Sequence, residues 1–160
     1  VTAPFVLREG GSDDIGALMR VMVRSFDPAF GEAWNRGQCL GILSLPDVWL
    51  SFAEVHDDEE PHAIGFALTR LLIDEAELLL LAVDPDWRQQ GVASALIDRT
   101  AADAAARGAH RLLLEVRDGN QALCLYQRQR FGQIGRRRGY YRGTDGTVHD
   151  ALTLARPVGG

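Results

Sequence analysis

The sequence predicts an α+β domain with α/β/α layering, built on one mixed, mostly antiparallel sheet around a single parallel pair of strands. An aliphatic run over 78–83 is followed by a turn, a helical pattern and a second strand pattern over 111–116. A strand–helix–strand crossover of that length makes its two strands parallel. Ahead of it, short strand patterns are separated by polar turn clusters too short for a crossover, which points to an antiparallel meander. With 160 residues the chain has the size of one domain able to bury a substantial core. No repeat, low-complexity tract or long linker divides it, so a single domain over 1–160 is expected.

Taken in order, the first strand is expected over 5–8. Ser12, Asp13 and Asp14 then cap a helix in which Ile15, Leu18, Met19, Met22, Val23 and Phe26 recur at helical spacing. A second helix over 32–44 presents Trp34, Leu40, Ile42 and Leu43, and Pro46 ends it. Strands over 48–54 and 63–73 are joined by the acidic stretch 56–61, which belongs on a solvated hairpin loop. The run 78–83 reads as a strand covered on both faces, stopped by Asp84, Pro85 and Asp86. A helix over 92–107 turns Ala95, Leu96, Ile97, Ala101 and Ala105 to the core, with Gly108 closing it. Over 111–116, Leu112, Leu114 and Val116 alternate against Leu113, Glu115 and Arg117. Asp118, Gly119 and Asn120 form a turn and helix cap before a short helix over 121–130, and strands over 132–140 and 148–155 close the sheet.

Composition restricts the function classes. Apolar residues make up 46% and charged residues 24% of the chain, the ordinary globular range. The formal net charge of −5 argues against a nucleic-acid binder, which would show a basic field, and leaves room for basic substrates. Cys39 and Cys124 lie far apart without metal spacing or a disulfide framework, so a reducing cytoplasm is the expected setting. His56, His62, His110 and His149 show no paired ligand spacing, so no metal is expected. No apolar run reaches transmembrane length, and the start VTAPFVLREGG has no signal-peptide pattern. A soluble protein that engages no membrane is expected.

The segment between strand 78–83 and helix 92–107 carries the strongest chemical signal. Gly91 and Ala93 have little or no side chain, so a pyrophosphate can approach the backbone N–H groups of residues 89–94, where a helix begins and its first donors lack partners. The expected ligand is a phosphorylated cofactor. Arg88-Gln89-Gln90-Gly91-Val92-Ala93 resembles the Arg/Gln-x-x-Gly-x-Gly/Ala signature of GNAT-superfamily N-acetyltransferases. Further on, Leu114-Glu115-Val116-Arg117, Asn120, Leu125-Tyr126, Phe131, Gly135 and Arg137-Arg138-Gly139-Tyr140-Tyr141 follow the order and spacing of the bacterial ribosomal-protein alanine N-acetyltransferases. The resemblance covers roughly 63–154. Three positions depart from it: Ala93 replaces the second glycine of the cradle, Arg130 the glycine before Phe131, and Gly139 the Asn that precedes the two tyrosines.

The resemblance implies a GNAT fold in which the strands ending at Val83 and Val116 splay apart. Acetyl-CoA would be the cosubstrate, its pantetheine arm bonded like an added strand by Leu81, Ala82 and Val83. Arg88, Gln89, Gln90, Gly91, Val92, Ala93 and Ser94 would hold the pyrophosphate, and Asn120 and Tyr126 would touch the arm. It further implies Glu115 as general base and Tyr126 as general acid, with Trp34, Tyr140 and Tyr141 on the acceptor side. The acceptor would be a protein N-terminal α-amine or a small-molecule amine; a non-catalytic CoA-binding sensor is the third reading. On the residues alone, Glu115 could instead be an outward carboxylate paired with Arg117 or Arg111, Tyr126 a packing aromatic, and Arg136-Arg137-Arg138 a solvated strand edge.

Overall fold

The computed structural model describes residues 4–56 and 60–159, and within them seven strands form one sheet. β1 (Val6–Gly10), β2 (Val48–His56), β3 (Pro61–Leu72) and β4 (Glu75–Val83) make the expected antiparallel meander. β5 (Arg111–Arg117) runs parallel to β4, and β7 (Val148–Pro157) inserts between β5 and the outer strand β6 (Gly132–Arg142). Of the expected acidic loop, Asp57, Asp58 and Glu59 lie outside the described residues. β4 starts three residues earlier than its aliphatic run because Glu75, Ala76 and Glu77 already pair with β3 across the two-residue turn Ile73-Asp74.

Helices cover both faces. α1 (Ile15–Ser25) and α2 (Arg36–Leu43) place Leu18, Met22 and Cys39 on Phe52, Phe66 and Leu80. α3 (Val92–Ala106) and α4 (Leu123–Arg128) place Val92, Leu96, Ile97 and Tyr126 in the opposite cluster with Ile64, Leu78 and Leu114. Each fully buried aliphatic of this kind contributes roughly 1.5–3 kcal/mol, so Val92, Leu96 and Ile97 together fix the start of α3 firmly against the sheet. Its fully buried stripe adds Thr100 and Ala104 to the expected Leu96, Ile97 and Ala101, while the expected Ala105 packs half-buried against the same cluster and Ala95 is only partly buried.

Two expectations at the N-terminal side need correction. Residues 12–14 form a separate 3-10 turn, and the Asp14 carboxylate reaches back to the Gly11 N–H and Arg8 instead of capping α1. The second helix begins at Arg36, four residues later than expected. Asn35 and Gln38 make a reciprocal capping box there, each side chain bonding the other's backbone N–H at 2.8 Å. That box stops the helix from extending back to Glu32, which stays in the preceding loop.

β4 and β5 pair only from Glu75↔Arg111 to Leu78↔Leu114. The parting has a local cause. Leu78 and Leu80 face the adjacent β3 residues Thr69 and Leu68, so Leu79 is one residue too many, a bulge that bends β4 just where its pairing with β5 ends. Beyond it the two strands diverge around a notch. The Asp84 N–H donates to the Ile64 carbonyl at 2.8 Å, and strand alternation then turns Ala82 toward β3 and the N–H and C=O of Leu81 and Val83 into the notch.

Candidate active site

The cradle sits at the mouth of this notch. Gly91 is the N-cap of α3 with φ +85, a left-handed conformation that glycine adopts without strain, and a Cβ there would meet only open space. None of the backbone N–H groups from Gln89 to Ser94 finds an acceptor among the described residues, and the first helical bond is Ala95 N–H to the Gly91 carbonyl at 3.0 Å. Six donors at a helix N-terminus, with nothing bulky before them, suit a diphosphate. The Arg88 guanidinium donates to the Ser25 carbonyl at 2.9 Å and to the Val83 carbonyl at 3.4 Å, which leaves the Val83 N–H and the Leu81 groups for a partner in the notch. Ala82 is excluded as a main-chain partner for an arm in the notch, because its own N–H and C=O pair with Phe66 of β3 and its side chain is buried. The stop after β4 is pinned from α1, where Arg24 ion-pairs with the buried Asp84 at 2.7 Å and with Asp86 at 3.0 Å.

Tyr126 reaches the same region from α4. That helix ends in a Schellman turn: Phe131 N–H bonds the Tyr126 carbonyl at 2.9 Å, Arg130 N–H bonds the Gln127 carbonyl at 3.0 Å, and Arg130 has φ +67. Phe131 packs edge-on against the Tyr126 ring, centroids 5.7 Å apart, and fixes its plane. The glycine expected before Phe131 by resemblance thus corresponds to a left-handed helix stop, which Arg130 fills with strain. Tyr126 is 7% exposed. Burial, and then the Glu32 carboxylate, push its phenol above the ordinary tyrosine value, so it stays protonated throughout the neutral range.

Glu115 stands on β5 opposite Thr153 of β7, on the α1/α2 face. Its partner is neither Arg117 nor Arg111. Arg137 of β6 ion-pairs with it at 2.8 Å, while Arg111 pairs with Glu75 and Arg117 with Glu32. The three consecutive arginines lie exposed on the edge strand, as expected of a solvated edge, and there Arg136 also bonds Asp118 and Asp150. The Glu115 carboxyl is raised above the usual range, chiefly by burial and further by Glu77, against the opposing pull of Arg137 and a hydrogen bond from Tyr140. The Tyr141 hydroxyl donates to the Glu115 carbonyl at 3.4 Å, and the two tyrosine rings meet edge to face at 5.0 Å. Burial first, then Glu32 and Glu115, raise the Tyr141 phenol as well.

A further group enters the site without a sequence signal. Glu32 is 12% exposed, pairs with Arg117 at 3.2 Å and accepts from the Asn120 amide at 3.3 Å. The Arg117 guanidinium stacks 3.7 Å from the Phe30 ring centroid, an arrangement worth on the order of 2 kcal/mol when desolvated. Asn120 also caps the following turn, accepting from Ala122 N–H at 2.8 Å. Both ends of its amide are therefore committed within the protein, one of them to the acceptor-side loop. That loop is docked on the β6–β7 hairpin by its backbone: Gly31 has φ +66, and a Cβ there would lie 1.9 Å from the Arg142 carbonyl oxygen. Trp34 stands apart from this cluster, packed against the α1/α2 core and lining a shallow apolar groove of about 360 Å³ with Gln38, Gly41, Ile42 and Leu45. Among the described residues no group of three or more His, Cys, Asp or Glu could hold a metal, and no helix is long and apolar enough to cross a membrane.

Comparison with known proteins agrees with this geometry. The Acetyltransferase (GNAT) family profile matches residues 19–132. The [ribosomal protein bS18]-alanine N-acetyltransferase of Escherichia coli is 42% identical over 95 residues, 59% of this chain and 64% of the relative, so the match spans just under two thirds of that protein. The enzyme of the same description from Haemophilus ducreyi is 36% identical over 123 residues, 76% of this chain and 81% of the relative. The crystal structure of the Escherichia coli ribosomal-protein-S18-alanine N-acetyltransferase superposes with a TM-score of 0.83 at 29% identity, covering 98% of this chain and 95% of that one. The bulged and splayed β4–β5 pair, the cradle at the head of α3 and these matches lead to one assignment: the chain belongs to the GNAT family of acetyltransferases and has its fold.

Proposed function

We propose that this protein transfers the acetyl group of acetyl-CoA to an amine, and that the amine is the N-terminal α-amine of a protein of the ribosomal-protein-alanine type. The observation that carries the reading is the place where β4 and β5 part: their pairing ends at Leu78↔Leu114, Glu115 is the next residue of β5, and β4 goes on through Leu81 and Val83 towards the head of α3, where six N–H donors find no acceptor among the described residues. The residues present fit the cofactor. A diphosphate at Gln89–Ser94 would satisfy donors that the fold leaves unmatched, each such bond to a charged group contributing about 1.5–3 kcal/mol. The arm would complete β4 where β5 leaves it, through Leu81 and Val83. Bound there, acetyl-CoA supplies an activated acyl group.

The chain's own residues manage protons. The attacking nitrogen must be neutral, and an α-amine with a pKa of about 7.7–8.0 loses its proton far more readily than a lysine near 10.4. Glu115, raised by burial and repulsion from Glu77, takes that proton, directly or through a water. Tyr126, a fully protonated phenol, would donate to the CoA sulfur as negative charge develops there.

The names of the relatives support the α-amine over a small amine, as does the loop carrying Glu32, which is docked on the β6–β7 hairpin beside the tyrosines. CoA release is to be measured with a basic peptide bearing a free N-terminal alanine, the same peptide N-blocked with its lysine free, and a set of small amines. Turnover on the first alone is expected. Turnover confined to small amines would overturn the protein-acceptor reading, and cofactor binding without turnover on any pool would favour a sensor. Tyr126→Phe is expected to lower kcat by about 10²-fold or more while leaving acetyl-CoA affinity near wild type, a split that a sensor would not show.

A further inference from the structure

We propose that Asp150 is a positioning residue that sets the acceptor mouth by holding the backbone bulge on which Tyr140 and Tyr141 stand. The inference rests on the acceptor-side reading of those tyrosines. Between the pairs Arg137↔Ala151 and Tyr141↔His149, β6 takes four steps while β7 takes two. Without the two extra residues, Gly139 would face His149 and Tyr141 would lie two residues farther along, roughly 6–7 Å from its present place. The bulge therefore draws Tyr141 back toward Glu115. Because the excess is even, Arg137 and Tyr141 stay on the face that Glu115 occupies.

A bulge breaks the ladder, and the freed backbone groups need partners. Asp150 provides one. Its Oδ1 accepts from the Gly139 N–H at 3.0 Å, where Gly139 has φ +63, and its Oδ2 accepts from Arg136 at 2.9 Å. Arg136 continues to Asp118 at 2.8 Å, and the Asp118 N–H returns to the Asp150 carbonyl at 2.9 Å. Asp150 thus ties the bulge in β6, through Arg136 and its own carbonyl, to Asp118, the residue that follows β5. The Gly139 N–H and, after it, Arg136 hold the Asp150 carboxyl below the usual range, as a constant acceptor requires.

The test compares wild type, Asp150→Ala and Asp150→Asn with all three tyrosines replaced by 3-fluorotyrosine and observed by fluorine NMR, beside kinetics with the alanine-terminated peptide and titration of acetyl-CoA. In D150A the signals of Tyr140 and Tyr141 are expected to move while that of Tyr126 stays. Acceptor KM should rise at least tenfold and acetyl-CoA affinity change less than twofold. D150N, which keeps an oxygen for the Gly139 N–H, should restore both. Unmoved tyrosine signals, a KM shared equally with the cofactor, or no rescue by D150N would overturn the inference. If D150A loses its fold, Asp150→Ser, too short to reach Gly139, is read on the same two signals. If wild type acetylates no peptide, the functional reading fails, while the fluorine signals still decide whether Asp150 holds the tyrosines.

Discussion

A carboxylate that must take a proton from an ammonium works better the closer its own pKa lies to the working pH. Glu115 is moved in that direction mainly by burial, and the move acts against the fold. A carboxyl raised in the folded state contributes its stability below its unfolded pKa and loses it as pH rises through the folded value. At neutral pH, wild type therefore carries the cost of a partly buried charge. Glu115→Gln is expected to lose about 10²–10⁴-fold in kcat and yet to melt higher than wild type at pH 7.5. The gap should close as pH falls to about 4, where both side chains are neutral. Releasing Arg137 should not cancel the gain, since its side chain is 61% exposed and solvates readily. Calorimetry across pH 4–8 beside the kinetics checks both halves; a lower melting point for the variant at pH 7.5 would show that Glu115 is held by its ion pair more than it is destabilised by burial.

At the level of elements, two backbone positions show how the site is framed. Arg130 at φ +67 occupies the left-handed stop of α4, at a cost of roughly 1–2 kcal/mol for a side-chain-bearing residue, against roughly 0.5–1 kcal/mol of extra chain entropy for glycine. Arg130→Gly is thus expected to stabilise the protein by about 0.5–1 kcal/mol in urea denaturation, with the Tyr126–Phe131 contact and kcat unchanged. Gly31 has no such freedom. Gly31→Ala must push the loop off the Arg142 backbone, and is expected to cost at least about 1–2 kcal/mol and to raise acceptor KM by carrying Glu32 away from Arg117 and Asn120. The contrast marks what was readable in the sequence. Strands, α1 and α3 were legible because periodicity records which face is buried, and Gly91 because a residue without a side chain ahead of a helical pattern marks the helix start. The true start of α2 was also there to be read, in the spacing of Asn35 and Gln38. The bulge at Leu79 was not, because four consecutive leucines carry no local mark of which one leaves the ladder. Nor was Glu32, whose partners lie 85 and 88 residues away and become neighbours only when the sheet closes.

At the scale of the molecule, the fold leaves main-chain groups around the head of α3 and the end of β4 without partners among the described residues. β5 could pair with all of β4, yet it parts from it after Leu78, and α3 begins with donors that none of the described residues caps. A ligand that fills such places binds the folded chain and not the unfolded one, so it raises stability by RT ln(1 + [L]/Kd), about 2.7 kcal/mol at a hundredfold excess over Kd. For a chain of this size that corresponds to a melting-point rise of about 5–10 °C. Ser94→Asp separates this role from an ordinary helix start. Ser94 is the third residue of α3, where a carboxylate complements the helix dipole and should leave the ligand-free melting point equal or slightly higher. The same charge would stand against a diphosphate. CoA is therefore expected to raise the melting point of wild type and to leave that of S94D almost unmoved. If S94D is stabilised by CoA as strongly as wild type, the donors at the head of α3 do not hold the phosphates. A fall in its ligand-free melting point would mean instead that these donors are already satisfied in the resting protein.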